Sequence, residues 1–172
     1  MPDEILNYTR QLIIATLAND GSAEGGKDGM DCSLCVYSPL TPEGGRKLWI
    51  ACANNPVWIV KCPPTGDLGG SVIEIKPDKM PVGKHDFQDK PFTQHEIDLQ
   101  KGDVVYTLTD GFPDQFGGER GKKFMSKNLR ELLAANAHLS MQEQKQFLEK
   151  TFSSWVGALE QVDDVTIIGV KI

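Results

Sequence analysis

Two short motifs place aspartates where β-strands are expected to end or begin. Asp110 lies in the TDG motif (109–111), directly after the β-prone run VVYTLT, and Asp163 opens the DDVT motif (163–166), directly before the last β-prone run. Adjacent antiparallel strands place the end of one beside the start of the other, so the two carboxylates are expected to converge. Carboxylate oxygens suit Mg²⁺ or Mn²⁺, and Gly111 allows the backbone to approach a bound group. The motifs indicate a divalent-cation site, although Asp-Gly is also a common turn and Asp-Asp a common cap or solvated pair.

The cysteines and histidines offer a second possible metal chemistry. Cys32 and Cys35 have the spacing of a zinc knuckle, but Cys52 and Cys62 do not repeat it. Residues three apart on a strand point to opposite faces, so Cys32 and Cys35 could not share one ion there. The thiols are interpreted as small buried side chains in a reduced compartment. The histidines at 85, 95 and 138 show no ligand spacing and are interpreted as surface or internally satisfied residues.

The elements that must position these residues follow from hydrophobic periodicity. Helices are predicted over 3–18, over 125–137, and from Ser140, where a capping-box spacing occurs, through apolar residues to Leu159. Strands are predicted over 31–38, 47–53, 57–62, 71–76, 92–99, 104–109 and 165–171. The connections between successive strands are short, which favours a meandering antiparallel sheet in an α+β fold.

Composition narrows the classes of function. The chain has 172 residues, of which 40% are hydrophobic and 24% charged, as expected for one soluble globular domain. Lys plus Arg number 18 and Asp plus Glu 24, giving a net charge of −6, which argues against nucleic-acid binding and against docking on anionic membranes. No apolar run has the length of a membrane span and no secretion signal opens the chain, so a cytoplasmic location is expected.

From about Gly29 to Ile172 the sequence resembles the SpoIIE-type phosphatase domains of the PPM superfamily of metal-dependent serine/threonine phosphatases. The resemblance depends on KLWIACANNPVWIV (47–60), on KGDVVYTLTDGFPDQFGG (101–118) followed by KKF, and on QVDDVTIIGV (161–170). Similar domains carry a helix like 3–18 just before this region, which extends the resemblance to the whole chain.

The resemblance implies a fold and a chemistry. The implied fold is an antiparallel β-sandwich flanked by helices, with two Mn²⁺ or Mg²⁺ ions at one end. Asp110 and Asp163 are implied as metal ligands and Gly111 as a backbone ligand, with a metal-activated water rather than a side chain as the nucleophile. The implied reaction is hydrolysis of phosphoserine or phosphothreonine on a signalling protein, such as an anti-sigma-factor antagonist.

The acidic motifs also depart from the family pattern. The Gly-Asp motif and the metal-bridging Asp-Gly-x-Gly motif of the family have no match, because the early Asp-Gly pairs at 20–21 and 28–29 lie in the loop after the first helix. Asn54 stands where many PPM enzymes carry another aspartate. Residues 1–172 are therefore expected to form a single truncated domain without its first strands and first helix, and with an incomplete metal site.

Two functions remain open. The first is a protein phosphatase domain that is inactive as this isolated chain, unless another acid such as Asp28 or Asp31 replaces the missing ligand. The second is a non-catalytic PPM-like binding or regulatory module; in the simplest alternative, the two aspartates are only turn and cap residues. Missing strands would leave unpaired backbone groups, so a homo-oligomer is expected, through a sheet edge or exchange of helix 3–18 about the glycine-rich hinge 19–29.

Overall fold

The computed structural model describes residues 1–17, 28–62 and 70–172. These residues form helices and mainly antiparallel strands that group into two compact units. Unit 1 comprises Met1–Val57 and Ile75–Leu99, and unit 2 comprises Trp58–Glu74 and Gln100–Ile172. The α+β class predicted from the sequence is confirmed.

The described helices are α1 (Pro2–Leu17), α2 (Gly111–Asp114), α3 (Ser126–Asn136) and α4 (Met141–Val156). Three of these four helices follow the predicted ones, with α4 ending three residues earlier than expected, whereas the short α2 was not predicted. The strands are β1 (Gly29–Met30), β2 (Cys32–Tyr37), β3 (Arg46–Ala53), β4 (Val57–Lys61), β5 (Ser71–Ile75), β6 (Val82–Gly83), β7 (Gln94–Leu99), β8 (Val104–Leu108), β9 (Phe116–Gly117), β10 (Lys122–Lys123) and β11 (Ile167–Lys171). Among the described helices, none combines the length and apolar character that a bilayer crossing needs.

Unit 1 is a three-stranded antiparallel sheet, in the order β2-β3-β7, with α1 packed against it. Leu6 of α1 is buried in a cluster with Ala51 of β3 and with Met80 and Phe92. The buried Arg10 lies over the Phe92 ring, 4.6 Å from its centroid. This packing gives α1 an apolar side that unit 1 covers. The proposed hinge 19–29 falls almost entirely outside the described residues.

Unit 2 contains the sheet β11-β8-β4-β5, with α3 and α4 contributing to its core. The β11–β8 pair is antiparallel, from Ile167 opposite Leu108 to Lys171 opposite Val104. The core contains Trp58, Val60, Tyr106, Phe112, Leu129 and Leu133, with Phe152 and Trp155 of α4 packed against it. The sheet therefore brings the end of β8 to the start of β11, as expected from the two motifs.

The expected meander is wrong. The β2–β3 hairpin is confirmed, but β3 pairs next with β7, while β4 lies between β8 and β5. The first four residues of β4, VWIV, are all buried, so this strand must occupy an interior position with both faces covered. Burial of both faces, rather than the short turn after β3, decides where β4 lies.

The Lys101-Gly102-Asp103 turn has a structural explanation. The Asp103 side chain is fully buried and accepts hydrogen bonds from the backbone N–H of Cys62 at 3.1 Å and of Gln100 at 2.8 Å. The ammonium of Lys61 also pairs with it. Asp103 thus ties the end of β4 to the start of β8, which is a folding role within unit 2.

Candidate metal centre

Asp110 stands at the point where β8 gives way to α2. It is the N-cap of α2, with φ −80° and ψ −7°, and its carbonyl oxygen accepts from the N–H of Asp114 at 2.9 Å. Its side chain makes no capping hydrogen bond and is exposed. The backbone of Asp110 is thus fixed by the turn, while its carboxylate remains available to solvent or to a ligand.

Asp163 lies in the irregular segment that leads into β11. One of its carboxylate oxygens, Oδ1, accepts from the N–H of Asp164 at 2.7 Å, and its carbonyl oxygen accepts from the Gln161 amide at 2.7 Å. The residue is exposed. These local bonds hold the carboxyl group while leaving the second oxygen, Oδ2, without a hydrogen bond among the described residues.

Thr109 joins the two motifs. Its hydroxyl donates to the carbonyl oxygen of Asp164 and accepts from the N–H of Thr166, both at 3.0 Å. Its own N–H donates to the Thr166 carbonyl at 3.0 Å, which extends the β8–β11 ladder. We call the surface formed by 109–111 and 163–166 the aspartate edge. The structure brings the segments that carry Asp110 and Asp163 together there.

Gly111 permits this close approach. A Cβ at this position would overlap the carbonyl oxygen of Asp164 and would come within 3.2 Å of a Val165 methyl. No side chain larger than hydrogen fits without moving the DDVT segment. Its buried position explains the glycine by packing, and its predicted role as a backbone ligand stays a prediction.

Gln115 is a residue of the site that sequence reasoning missed. It is 0% exposed. Its side-chain amide donates to the Glu160 carbonyl at 2.9 Å, and its side-chain oxygen accepts from the Val162 N–H at 3.1 Å. Because residues 157–166 have no regular secondary structure, these two bonds fix the segment just before Asp163. The run GFPDQFGG (111–118) gives no sequence signal for this role, because Gln115 follows another polar residue, Asp114.

Trp155 holds the same loop from α4. Its indole N–H donates to the Gln115 carbonyl at 3.0 Å, and its own carbonyl accepts from the Gly118 N–H at 2.8 Å. A Cβ on Gly117 would overlap that Trp155 carbonyl. The loop after α2 is therefore locked against the C-terminal turn of α4.

The cysteines are free thiols, and burial raises their pKa values. The pKa is raised to about 11 at Cys35 and to about 12 at Cys52, and it is raised also at Cys32 and Cys62. High pKa values keep these thiols protonated and disfavour metal binding, which requires the thiolate.

The other early acids lie in unit 1 or outside the described residues. The Asp31 carboxylate accepts a hydrogen bond from the Asn54 amide at 2.8 Å, and Asp28 is exposed beside β1. Asn54 has φ +58°, a left-handed conformation that asparagine tolerates better than most residues. The Asp-Gly pair at 20–21 lies outside the described residues.

The residues present fit a divalent cation only in part. Two exposed carboxylates on adjoining segments are hard oxygen donors, as Mg²⁺ and Mn²⁺ prefer. Within 1–17, 28–62 and 70–172, no three or more His, Cys, Asp or Glu side chains gather into a metal-binding group. Two aspartates suit one hydrated ion and are too few for a two-ion centre, so the described residues do not complete the implied site.

Comparison with known proteins agrees with this architecture. Residues 1–172 match the family described as stage II sporulation protein E, SpoIIE. The SiaA-PP2C domain of Pseudomonas aeruginosa superposes with a TM-score of 0.77 at 26% identity, over 99% of this chain and 61% of that domain. The PP2C phosphatase domain of Bacillus subtilis SpoIIE was solved with a fragment of its regulatory domain. It superposes with a TM-score of 0.52 at 15% identity, over 76% of this chain and 34% of that chain. No curated protein sequence matches the chain.

Proposed function

The chain belongs to the SpoIIE family, and on that premise we propose that it forms part of a protein serine/threonine phosphatase domain. The PP2C fold shared with the SiaA domain supports this assignment. The proposed reaction is hydrolysis of phosphoserine or phosphothreonine on a signalling protein, such as an anti-sigma-factor antagonist. The chain spans 61% of the SiaA-PP2C domain. The activity is therefore proposed for a domain as long as the whole SiaA-PP2C domain, of which this chain would form a part.

The observation that carries the proposal is the junction at Thr109. Its hydroxyl holds the TDG and DDVT motifs side by side, although they are far apart in sequence. A turn cap or a solvated pair would not require two motifs to be fixed together in this way. Asp110 and Asp163 are proposed as this chain's ligands to the metal centre.

By itself, the 172-residue chain is proposed to lack phosphatase turnover. Asp110 and Asp163 are the two carboxylates proposed as ligands, and among the described residues no three His, Cys, Asp or Glu side chains are gathered so that they could hold one ion. When bound, the ions of a two-metal hydrolase activate water and neutralise the phosphoryl oxygens. This chain's own contribution is to hold two oxygen donors in a fixed backbone setting.

Manganese binding provides the first test. Electron paramagnetic resonance of Mn²⁺ should show weak binding to the chain, lost in Asp110→Asn and in Asp163→Asn. Asp164→Asn is the matched control, because it neutralises the adjacent exposed carboxylate and should keep the binding. Equal loss in all three variants would indicate a diffuse acidic surface and would contradict the assignment of ligands.

A hybrid protein provides the second test. The part of the SiaA-PP2C domain outside the match is joined in its native order to this chain, and Mn²⁺-dependent hydrolysis of p-nitrophenyl phosphate is measured. We expect turnover in the hybrid, none in the chain alone, and none in the hybrid carrying Asp110→Asn. A folded hybrid that binds Mn²⁺ but lacks turnover would contradict the phosphatase proposal.

The absence of a three-ligand group among the described residues favours a second candidate function, a PPM-like binding or regulatory module without turnover. That candidate predicts an inactive hybrid even at saturating Mn²⁺. The hybrid experiment therefore separates the two functions.

A further inference from the structure

A cationic hairpin stands beside the aspartate edge. It consists of residues 116–123, in which β9 and β10 pair antiparallel, with Lys123 opposite Phe116. The hairpin exposes three cationic side chains, Arg120, Lys122 and Lys123, and one carboxylate, Glu119, so its net charge is +2 in a chain whose net charge is −6. We propose that this cationic hairpin is a docking surface for an acidic segment of the phosphoprotein substrate, an inference that rests on the proposed function.

The hairpin is held by residues that adjoin the aspartate edge. The N–H of Gly118 donates to the Trp155 carbonyl at 2.8 Å. Gln115, directly before β9, makes the side-chain bonds that fix the segment before Asp163. Lys123 donates to the carboxylate of Asp114 at 2.8 Å, at the end of the helix that Asp110 caps. A polypeptide bound to the hairpin is therefore close to the aspartate edge.

Two of the three cations are available for a ligand. Lys123 is paired with Asp114, so its role is to hold the hairpin against α2. Among the described residues, neither Arg120 nor Lys122 has a carboxylate within salt-bridge distance. Unpaired positive charge on an acidic protein attracts an acidic partner and orients its approach, while like-charged surfaces elsewhere disfavour wrong orientations.

Exposed apolar side chains beside the cations favour a polypeptide as the ligand. Phe116 is 42% exposed and Met125, just beyond β10, is 56% exposed. Met125 also has φ +77°, a conformation that is costly for a non-glycine residue and that is found most often at functional sites. A surface with exposed apolar side chains near only two unpaired cations fits a protein segment better than a nucleic-acid backbone, which calls for many phosphate contacts.

Binding of a synthetic peptide tests the inference without requiring turnover. The probe is a fluorescein-labelled peptide with one phosphoserine flanked by glutamates and aspartates, and its counterpart has serine flanked by glutamines and asparagines. Fluorescence anisotropy with the 172-residue chain should show binding of the acidic probe only. The affinity should fall as salt is raised, because exposed charges are screened.

Two double variants distinguish the effect of the hairpin's charge on peptide binding from the effect of the protein's net charge. Arg120→Glu with Lys122→Glu should weaken binding by about tenfold or more. Lys145→Glu with Lys150→Glu, on exposed positions of α4, changes the net charge equally and should leave the affinity within about twofold. Circular dichroism melting shows that both variants are folded.

Several results would overturn the inference. These are no binding of the acidic probe, equal weakening by both double variants, or equally tight binding of a single-stranded oligothymidine. Each of these outcomes can be distinguished from a failure of the proposed function. If the peptide binds in a hairpin-dependent way but the hybrid is inactive, the docking surface is supported and the phosphatase proposal is contradicted. If the hybrid is active but the chain does not bind the peptide, the phosphatase proposal is supported and the docking surface is contradicted.

Discussion

The hydroxyl of Thr109 donates to the carbonyl oxygen of Asp164 at 3.0 Å, across 55 residues of sequence. With the bond that the same hydroxyl accepts from Thr166, it joins the segments on which Asp110 and Asp163 stand. The two aspartates therefore share a backbone setting that neither motif could provide alone.

Replacing Thr109 with valine keeps the shape of the side chain and removes both hydroxyl bonds. We expect a loss of about 1–2 kcal/mol in the free energy of unfolding, because the N–H of Thr166 loses its partner. Urea denaturation measures this loss. Thr109→Ser retains the hydroxyl and should restore most of the stability, whereas equal effects of valine and serine would exclude the hydrogen bonds as the cause.

Replacing Gly111 with alanine should displace the DDVT segment, because the new Cβ would overlap the Asp164 carbonyl. Overpacking of this kind costs about 1–3 kcal/mol, and we expect Mn²⁺ binding to weaken as well. Gly121→Ala is the control, since no atom lies within 4 Å of its Cβ position. That variant tests the cost of a positive φ alone and should leave Mn²⁺ binding unchanged.

Gln115→Leu should loosen the segment before Asp163. The side chain loses its bonds to Glu160 and Val162, and we expect a destabilisation of about 1–3 kcal/mol. Hydrogen–deuterium exchange should accelerate at 159–163. Gln144→Leu replaces another buried glutamine, one that bonds Tyr106 and the Leu139 carbonyl, and should lower stability without that local acceleration. Acceleration in both variants would show a general loss of stability instead.

Asp103→Asn should destabilise unit 2 by about 2 kcal/mol or more. The buried carboxylate pairs with Lys61 and accepts from two backbone N–H groups, and an amide cannot replace the charge. Thermal unfolding measures the effect. Asp98→Asn, on an exposed carboxylate of unit 1, should change the melting temperature much less.

The capping box of α4 should give a pH-dependent contribution. Hydrogen bonds from the side chain and backbone of Ser140 lower the pKa of Glu143 below its ordinary value. A carboxyl whose folded-state pKa is depressed stabilises the fold above its unfolded-state value of 4.5, and that stability is lost as the pH falls through the lower folded-state pKa. Urea midpoints of the wild type and Glu143→Gln should therefore differ most near neutral pH and converge in acid. A difference independent of pH would contradict this account.

The local elements and the two acidic motifs could be predicted from the sequence alone. Helices α1, α3 and α4 follow from periodicity and capping, because these signals act over one or two turns of a single segment. The position of Asp110 just after β8 follows from the β-prone run beside it, whereas Asp163 stands four residues before β11 and not directly at its start. The family followed from motifs spread along the chain, and the match over residues 1–172 confirms it.

The pairing of the strands and the residues that hold the aspartate edge became apparent in the folded structure and could not be predicted from the sequence. The place of β4 between β8 and β5 depends on burial of both faces of the strand, and it cannot be inferred from the short turns that connect the strands in sequence. Gln115 reaches Glu160 and Val162 across 45 and 47 residues of sequence. Such contacts arise when distant segments compete for the same buried space and the same backbone partners, and that competition leaves no periodic pattern in either segment.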